Sequence, residues 1–464
     1  MNGTFPTWFL HRWATDPGRV LTIGVSLALL LCWTLAPALL LLLALPVGIA
    51  CTAGFTIMLA YRSRQQLILP DLLPLWALLG MWVAPALQYL LEEDEALAYP
   101  MPVSRTIYFS IVLPGVIMLI LGTQLRLFAR PTADHALLQR SIGQLAGQGT
   151  QPMLLTGAGV LAFMLLPWLP PGLAFIAYLG QALLWVALLQ ACFLPDSRVR
   201  YLIMAVALLT NVWQAIQSTM FSDLIFGIVG VVLYVLLHRP RRLRTLLACQ
   251  LAGFLALCWL ITFKYEYRKQ ATTATGILEK ASLFSRSGLE ALTHPFSGRS
   301  LDYILSRINQ GSISALTFRY VPAQEPFAQG ETIKTAVLCA LVPRVLYPDK
   351  PRAGGVENCR RFMGIENLTY SINMGVVGEA YVNYGARSGA WFLFIYGLVL
   401  RAVYDGFRWL SARMTGLFFF LPFVFLPVIS IETDVLIVLN HLVKAGLVAL
   451  LIAWLFTKWP KTSR

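Results

Sequence analysis

Between positions 343 and 355 the chain reads Pro343-Arg344-Val345-Leu346-Tyr347-Pro348-Asp349-Lys350-Pro351-Arg352, and Gly354-Gly355 follow. The prolines stiffen the backbone and present Arg344, Lys350 and Arg352 within a short arc. Guanidinium forks beside an ammonium suit a diphosphate, which takes bidentate donors and point charge together. The competing reading is a basic segment that grips lipid headgroups, or that pairs with Asp349 and Glu357. Further on comes Gly378-Glu379-Ala380-Tyr381-Val382-Asn383-Tyr384-Gly385. A carboxylate beside tyrosine and asparagine at a glycine-broken edge can hold a sugar and take a proton from a hydroxyl. Its plainer reading makes Glu379 a helix partner for a loop arginine. A third group, Asn440, His441 and Lys444, falls in the last apolar run. His441 and Lys444 share one helical face there, and a lysine at that depth must turn inward to a partner. Asp223 with Asn211, Gln214 and Gln217 reads as helix packing or water access. His238 sits among arginines and reads as solvated, and His294 stands in a loop with no partner nearby in sequence.

The elements that must position these residues are membrane helices. Of 464 residues, 58% are hydrophobic and only 12% charged, with mean hydropathy +0.68. A soluble chain carries about twice that charged fraction. Apolar stretches fall at about 20–36, 38–60, 72–91, 106–125, 153–169, 172–193, 201–217, 221–237, 245–263, 386–404, 414–430 and 434–456. The expected fold is therefore all-α, a polytopic membrane bundle of about twelve helices. The basic excess, +14, would suggest nucleic acid in a soluble protein. Here no nucleic-acid partner is expected, because most of the excess sits in alternate short connectors. Arg12, Arg19, Arg62, Arg64, Arg126, Arg130, Arg401 and Arg408 lie on one side, and Glu92, Glu93, Asp94, Glu95 and Glu432 on the other. That asymmetry places both termini in the cytoplasm. Seven cysteines without a paired spacing give neither a disulfide framework nor a metal site. The first apolar run is longer than a signal peptide's core, so no cleaved signal is expected. No nucleotide fingerprint stands in a usable context.

One segment breaks the rhythm. From Lys264 to Arg387 nothing is long and apolar enough to span, yet the run is not low-complexity. The chain thus divides into an N-terminal bundle at 1–263, an extracytoplasmic loop at 264–387 and C-terminal helices at 388–464. Loops this long inside a compact protein are usually functional. Leu301, Ile304, Leu305 and Ile308 recur at helical spacing and predict an amphipathic helix. Thr332–Val342 predicts a second, stopped by Pro343. Met374–Tyr384, interrupted by Gly375 and Gly378 and closed by Gly385, predicts a broken helix dipping toward the membrane. Non-helical backbone at that depth is tolerated where it lines a cavity or is buried in protein.

Taken together, Pro343-Arg344 leading to Tyr347-Pro348-Asp349-Lys350-Pro351, then the Gly378–Gly385 box and Gly389, make the Arg319–Gly389 stretch resemble a known family. It is similar to the Wzy-type oligosaccharide repeat-unit polymerases, the O-antigen and exopolysaccharide polymerases of bacterial envelopes. Some of these carry an arginine, ten residues and a glycine, and both Arg319–Gly330 and Arg344–Gly355 fit that spacing. The motifs cover a sixth of the chain and the remainder agrees by topology. The resemblance implies a metal-independent glycosyltransferase of the bacterial inner membrane, with no cofactor. Such an enzyme moves a glycan from an undecaprenyl-diphosphate donor to a lipid-linked acceptor at the extracytoplasmic face. Membrane lipid and a chain-length regulator protein are its implied partners. On this reading Arg344, Lys350 and Arg352 bind the diphosphate with Arg319 as a further clamp. Glu379 is the leading base and His441 the alternative, while Tyr381 and Asn383 contact sugar. An O-antigen ligase shares the donor and the basic loop. A transporter or flippase of an anionic or lipid-linked solute calls for broken helices in matching halves, and only one break, near 375–385, is present.

Overall fold

The computed structural model describes residues 16–92, 100–127, 133–147, 150–219, 221–271, 276–293, 298–342, 346–347, 350–351, 355–366 and 372–458. Every regular element among them is helical. In chain order these are α1 (Pro17–Leu35), α2 (Ala44–Arg62), α3 (Leu69–Glu92), α4 (Arg105–Gln124), α5 (Asp134–Gly147) and α6 (Gln151–Leu165). Then come α7 (Pro171–Ala191), α8 (Arg198–Ser218), α9 (Ser222–His238), α10 (Leu243–Ala271), α11 (Ile277–Thr293) and α12 (Gly298–Ile308). The chain closes with α13 (Gly311–Tyr320), α14 (Glu331–Leu341), α15 (Val356–Met363), α16 (Gly375–Ser411), α17 (Gly416–Val428) and α18 (Val435–Lys458).

Ten of these are long and apolar enough to cross a membrane: α1 to α4, α6 to α8, α10, α16 and α18. The two remaining apolar stretches of the sequence are filled by the shorter helices α9 and α17. The protein is thus a multi-pass membrane helix bundle. Burial separates its centre from its rim: 78% of the α4 span is buried against 11% of α1. A helix apolar on all sides belongs in the interior, and α4 is such a helix. Two boundaries differ from the hydropathy reading. Helix α10 continues through Lys264 and Arg268 to Ala271, and α16 begins at Gly375. Long straight side chains sustain helix without apolar burial, so neither helix stops where its hydrophobicity does.

Helices α4 and α16 pack at backbone distance. A methyl group placed on Gly122 would collide with the Phe394 carbonyl, and one on Gly397 would lie 2.7 Å from the Leu119 carbonyl. Without a hydrophobic drive between helices in lipid, such close contact through small residues is what joins them. Helix α16 is not straight. Gly385 holds φ +71° and ψ −172°, which L side chains do not adopt, and the chain bends until Gly389 lies against the Ala380 carbonyl. Residues 375–384 and the remainder of α16 are thus two helices joined at a kink, at the place where the glycine spacing predicts a break.

The arginines at one end of the bundle are built in rather than solvated. Arg62 pairs with Asp71 at 3.1 Å and with Asp16 at 3.3 Å, and Arg401 pairs with Asp405 at 3.2 Å and Asp71 at 3.8 Å. Arg408 pairs with Asp134 and with Asp405 at 3.5 Å, and Arg126 reaches Asp405 at 3.8 Å. Tyr404 lies beneath the Arg401 and Arg408 guanidiniums and donates to the Leu67 carbonyl. Asp71 also accepts from Gln124, and Asp134 from the Leu67 amide. Buried charges persist where each has partners of this kind.

The α4–α16 contact gives a stability prediction. Gly122→Ala should cost about 1–3 kcal/mol, the usual penalty for overpacking, and lower the melting temperature in detergent. Gly253→Ala, where an added methyl meets nothing within 4 Å, should leave that temperature unchanged or raise it.

Candidate functional site

The Gly378–Gly385 box lies where α16 and α18 begin side by side. A helix start leaves amide groups without partners and carries positive dipole potential, so two converging starts need acceptors and negative charge. Each helix supplies them to the other. Asp434, the residue before α18, accepts from the Gly375 amide at 3.1 Å. Glu379, in the second turn of α16, accepts from the Val435 amide at 2.7 Å. Between them Val376 donates to the Ile431 carbonyl at 3.3 Å. Gly375 holds φ +74°, and a side chain there would press within 2.7 Å of the Ile431 carbonyl. Only glycine lets the turn from Ile431 to Asp434 approach so closely.

The second oxygen of Glu379 accepts from the Thr332 hydroxyl at 2.7 Å. That hydroxyl in turn accepts from the Asn383 amide at 2.7 Å, and the same amide donates to the Glu379 carbonyl at 2.8 Å. The Asn383 side-chain oxygen accepts from the Gly330 amide at 3.0 Å. Gly330, at φ +88°, is the turn from which α14 starts. Glu379 and Asn383 are both fully buried, so every polar group in this chain of bonds is matched inside protein. Tyr381 donates to the Val321 carbonyl at 3.1 Å, and its ring packs on Phe318 and Phe327. Ser314 of α13 closes the assembly by donating to the Met374 carbonyl at 2.9 Å.

This network gathers four of the residues singled out by sequence. Glu379, Tyr381 and Asn383 lie within it, and Arg319 stands exposed on the last turn of α13, the helix that Phe318 and Ser314 tie to it. Lys350 is placed differently. It is buried, and its ammonium donates back to the Cys339 carbonyl and, at 3.2 Å, to the Val342 carbonyl. It thus closes the C-terminal end of α14, where a cation meets the negative end of the dipole. Arg344 and Arg352 lie outside the described residues. His441 belongs to another environment. Its Nε2 sits 3.1 Å from the Phe423 carbonyl, and it shares with Asp223 an apolar crevice walled by Trp185, Phe226, Phe419 and Leu426. Lys444 lies 4.2 Å over the Phe175 ring, an inward partner of the cation–π kind.

Two participants escape a reading of the sequence for chemistry: Thr332 and Asp434. Asp434 carries a signal, being an aspartate set just before an apolar run, the ordinary start of a helix. Thr332 carries none. On α15, Arg361 braces the turn ahead of α14 through Glu325 at 2.6 Å and Glu331 at 3.0 Å. The hydrogen bond it donates to Glu325, helped by that to Glu331, holds its guanidinium above the usual arginine range.

The bond chain predicts coupling. Thr332→Val and Asn383→Ala should each destabilise by about 1–3 kcal/mol, since each strands a buried partner. The double variant should lose less than the sum of the two, by at least about 0.5 kcal/mol, because they break one network. Thermal unfolding of the four proteins in detergent measures this.

Comparison with the curated proteins and with the solved structures finds no match. Residues 161–407, more than half of the chain and including α7 to α15 with Thr332, Glu379 and Asn383 but not Asp434 and Val435, match the family described as a domain of unknown function (DUF8712), and the chain belongs to that family.

Proposed function

We propose that the protein is a glycosyltransferase that polymerises lipid-linked oligosaccharide repeat units at the extracytoplasmic face of a bacterial plasma membrane. In this reading α9 and α17 complete twelve crossings, both termini are cytoplasmic, and α11 to α15 lie outside. The observation that carries it is the network around Glu379. It ties Gly330, which ends the Arg319–Gly330 spacing, to the Gly378–Gly385 box of the polymerase-like motif at the start of a membrane helix. A lipid-diphosphate substrate needs such a place, since its tail stays in the bilayer while its sugars stand outside.

The reaction is displacement at an anomeric carbon. The acceptor hydroxyl forms the new bond, the bond to the diphosphate breaks, and the diphosphate leaves with its electron pair. Positioned cations stabilise the charge that develops on the leaving group. Arg319 is exposed and takes this role with Arg344 and Arg352, whereas Lys350 holds the end of α14 and supports the clamp from within. Of the two candidate bases His441 keeps a ring nitrogen for proton transfer, and the proposal then requires the acceptor hydroxyl to reach the separate crevice in which His441 lies. Both oxygens of Glu379 already accept hydrogen bonds and none is exposed. One ring nitrogen of His441 faces the Phe423 carbonyl. With the proton on that nitrogen, Nδ1 keeps a lone pair for the acceptor proton. Glu379 is then a positioning residue, and Tyr381 and Asn383 fix the wall against which the sugars lie.

Purified protein with lipid-linked repeat units should give a ladder of products on a gel. A single addition to lipid A-core would instead make it a ligase, and no reaction would remove the glycosyltransferase reading. Arg319→Ala should lower turnover by about 10²-fold, the usual loss of one transition-state donor, while the protein keeps its melting temperature. His441→Asn should abolish laddering with donor binding intact, whereas Glu379→Gln should lower stability and activity together. Full turnover by His441→Asn would return the base to another residue.

A further inference from the structure

We infer that the arginine network at the far end of α16 binds a phosphate-type oxyanion, at a site separate from the Glu379 assembly. Its ion pairs join five guanidiniums, Arg19, Arg62, Arg126, Arg401 and Arg408, to four carboxylates, Asp16, Asp71, Asp134 and Asp405. One positive charge is therefore left over among the described residues. It settles on Arg19. Arg408 is matched by Asp134, and Arg62 and Arg401 share Asp71 with Asp16 and Asp405 as second partners.

Arg19 is only 4% exposed, and its Nε, Nη1 and Nη2 have no hydrogen-bond partner. The nearest carboxylate oxygen, on Asp16, stands 3.6 Å from Nε. The charges acting most strongly on Arg19 are of its own sign, those of Arg401, Arg126 and Arg62. Arg62 Nη2 is likewise without a hydrogen-bond partner, and Arg401 Nη1 faces only Asp71, at 3.8 Å. Arg19 also lies in the first turn of α1, where the helix dipole adds further positive potential.

A buried guanidinium without a hydrogen-bonded acceptor is costly, and the carboxylates beside it among the described residues, Asp16 and Asp71, are already shared with Arg62 and Arg401. An anion from outside the chain would neutralise the charge left over. Unbonded guanidinium donors at a helix start fit a tetrahedral phosphate, which takes forked donors and is favoured by that dipole end. The phosphate is either that of an anionic lipid headgroup, beside the rim helix α1, or free in solution.

The test uses full-length protein purified in a sugar-based detergent without phosphate. Its melting temperature is followed on adding inorganic phosphate, phosphatidylglycerol or uncharged diacylglycerol, and native mass spectrometry reads what remains bound. A saturating anion should raise the melting temperature by about 2–6 °C, and diacylglycerol should not. A rise with inorganic phosphate identifies a free-anion site, and a rise with phosphatidylglycerol alone identifies the headgroup. Arg19→Gln should lose the rise, and Arg19→Lys, which keeps charge but not the fork, should need at least about tenfold more anion. No rise in the native protein, together with no bound phosphate or phospholipid by mass, overturns the inference. So does an Arg19→Gln protein that keeps the full rise or is more stable without anion than the native chain saturated with it. Should neither variant fold, the titrations and bound mass of the native protein decide alone.

Discussion

Two carboxylates hold the starts of two helices together. Glu379 accepts from the first amide of α18, and Asp434 accepts from the first amide of α16. Each carboxyl group sits at the start of the other helix, so the arrangement satisfies amides at both starts in one move. The exchange works only if the two chain segments nearly touch, which Gly375 permits. From that point the remaining geometry follows outward. Glu379 fixes Thr332, Thr332 and Asn383 fix Gly330, and Gly330 sets the direction in which α14 leaves. Without the pair, α13, α14 and the first part of α16 would have no common frame.

That frame explains why Glu379 serves better as a holder than as a reagent. A general base needs a lone pair within reach of substrate, and both oxygens of Glu379 point into protein. Yet the same burial gives the site something a surface carboxylate could not. Thr332 and Asn383 are locked at hydrogen-bond length, so the glycine-rich turn at Gly330 is presented without slack. Positioning of this kind would matter for the glycosyl transfer proposed above, since a misplacement of about 1 Å can cost about 10²-fold in rate. Lys350 acts in the same spirit at the other end of α14, tying the basic segment that follows to the last carbonyls of that helix.

Much of this could be read from residue types alone, and the failures share a cause. Apolar length located the ten helices long enough to cross a membrane and the two shorter apolar ones, because water exclusion is local and additive along a segment. The glycines at 375, 378 and 385 marked the break, because φ near +71° at Gly385 is written into the residue. Partnership across the chain was not legible. Arg62, Arg401 and Arg408 were counted as orienting charges, and nothing local shows that Arg408 meets Asp134 across 274 positions. Lys350 sits among residues suited to diphosphate, but which way its stem turns depends on α14, to which it points back. Glu379 reads as an accessible acid until Val435 and Thr332 arrive from elsewhere in the chain.

Helix α16 joins the two polar layers. Near its start stand Glu379 and Asn383, near its end Arg401, Asp405 and Arg408, and between them lie the glycine contacts with α4, the most buried span. Its 37 residues would extend about 55 Å if straight, long enough to reach past both faces of a bilayer. Two buried charge networks at opposite ends of one helix, with backbone-close packing in the middle, leave that helix little freedom to slide or rotate. Any movement that admits the substrate proposed above must therefore come from elsewhere than α16. Helix α14 packs along α18 and is tied to Glu379 through Thr332, and α15 buries Cys359, Phe362 and Met363 against Val321 and Met374, so both belong to the same frame. The start of α16 and the turn at Gly330 are thereby held as one body.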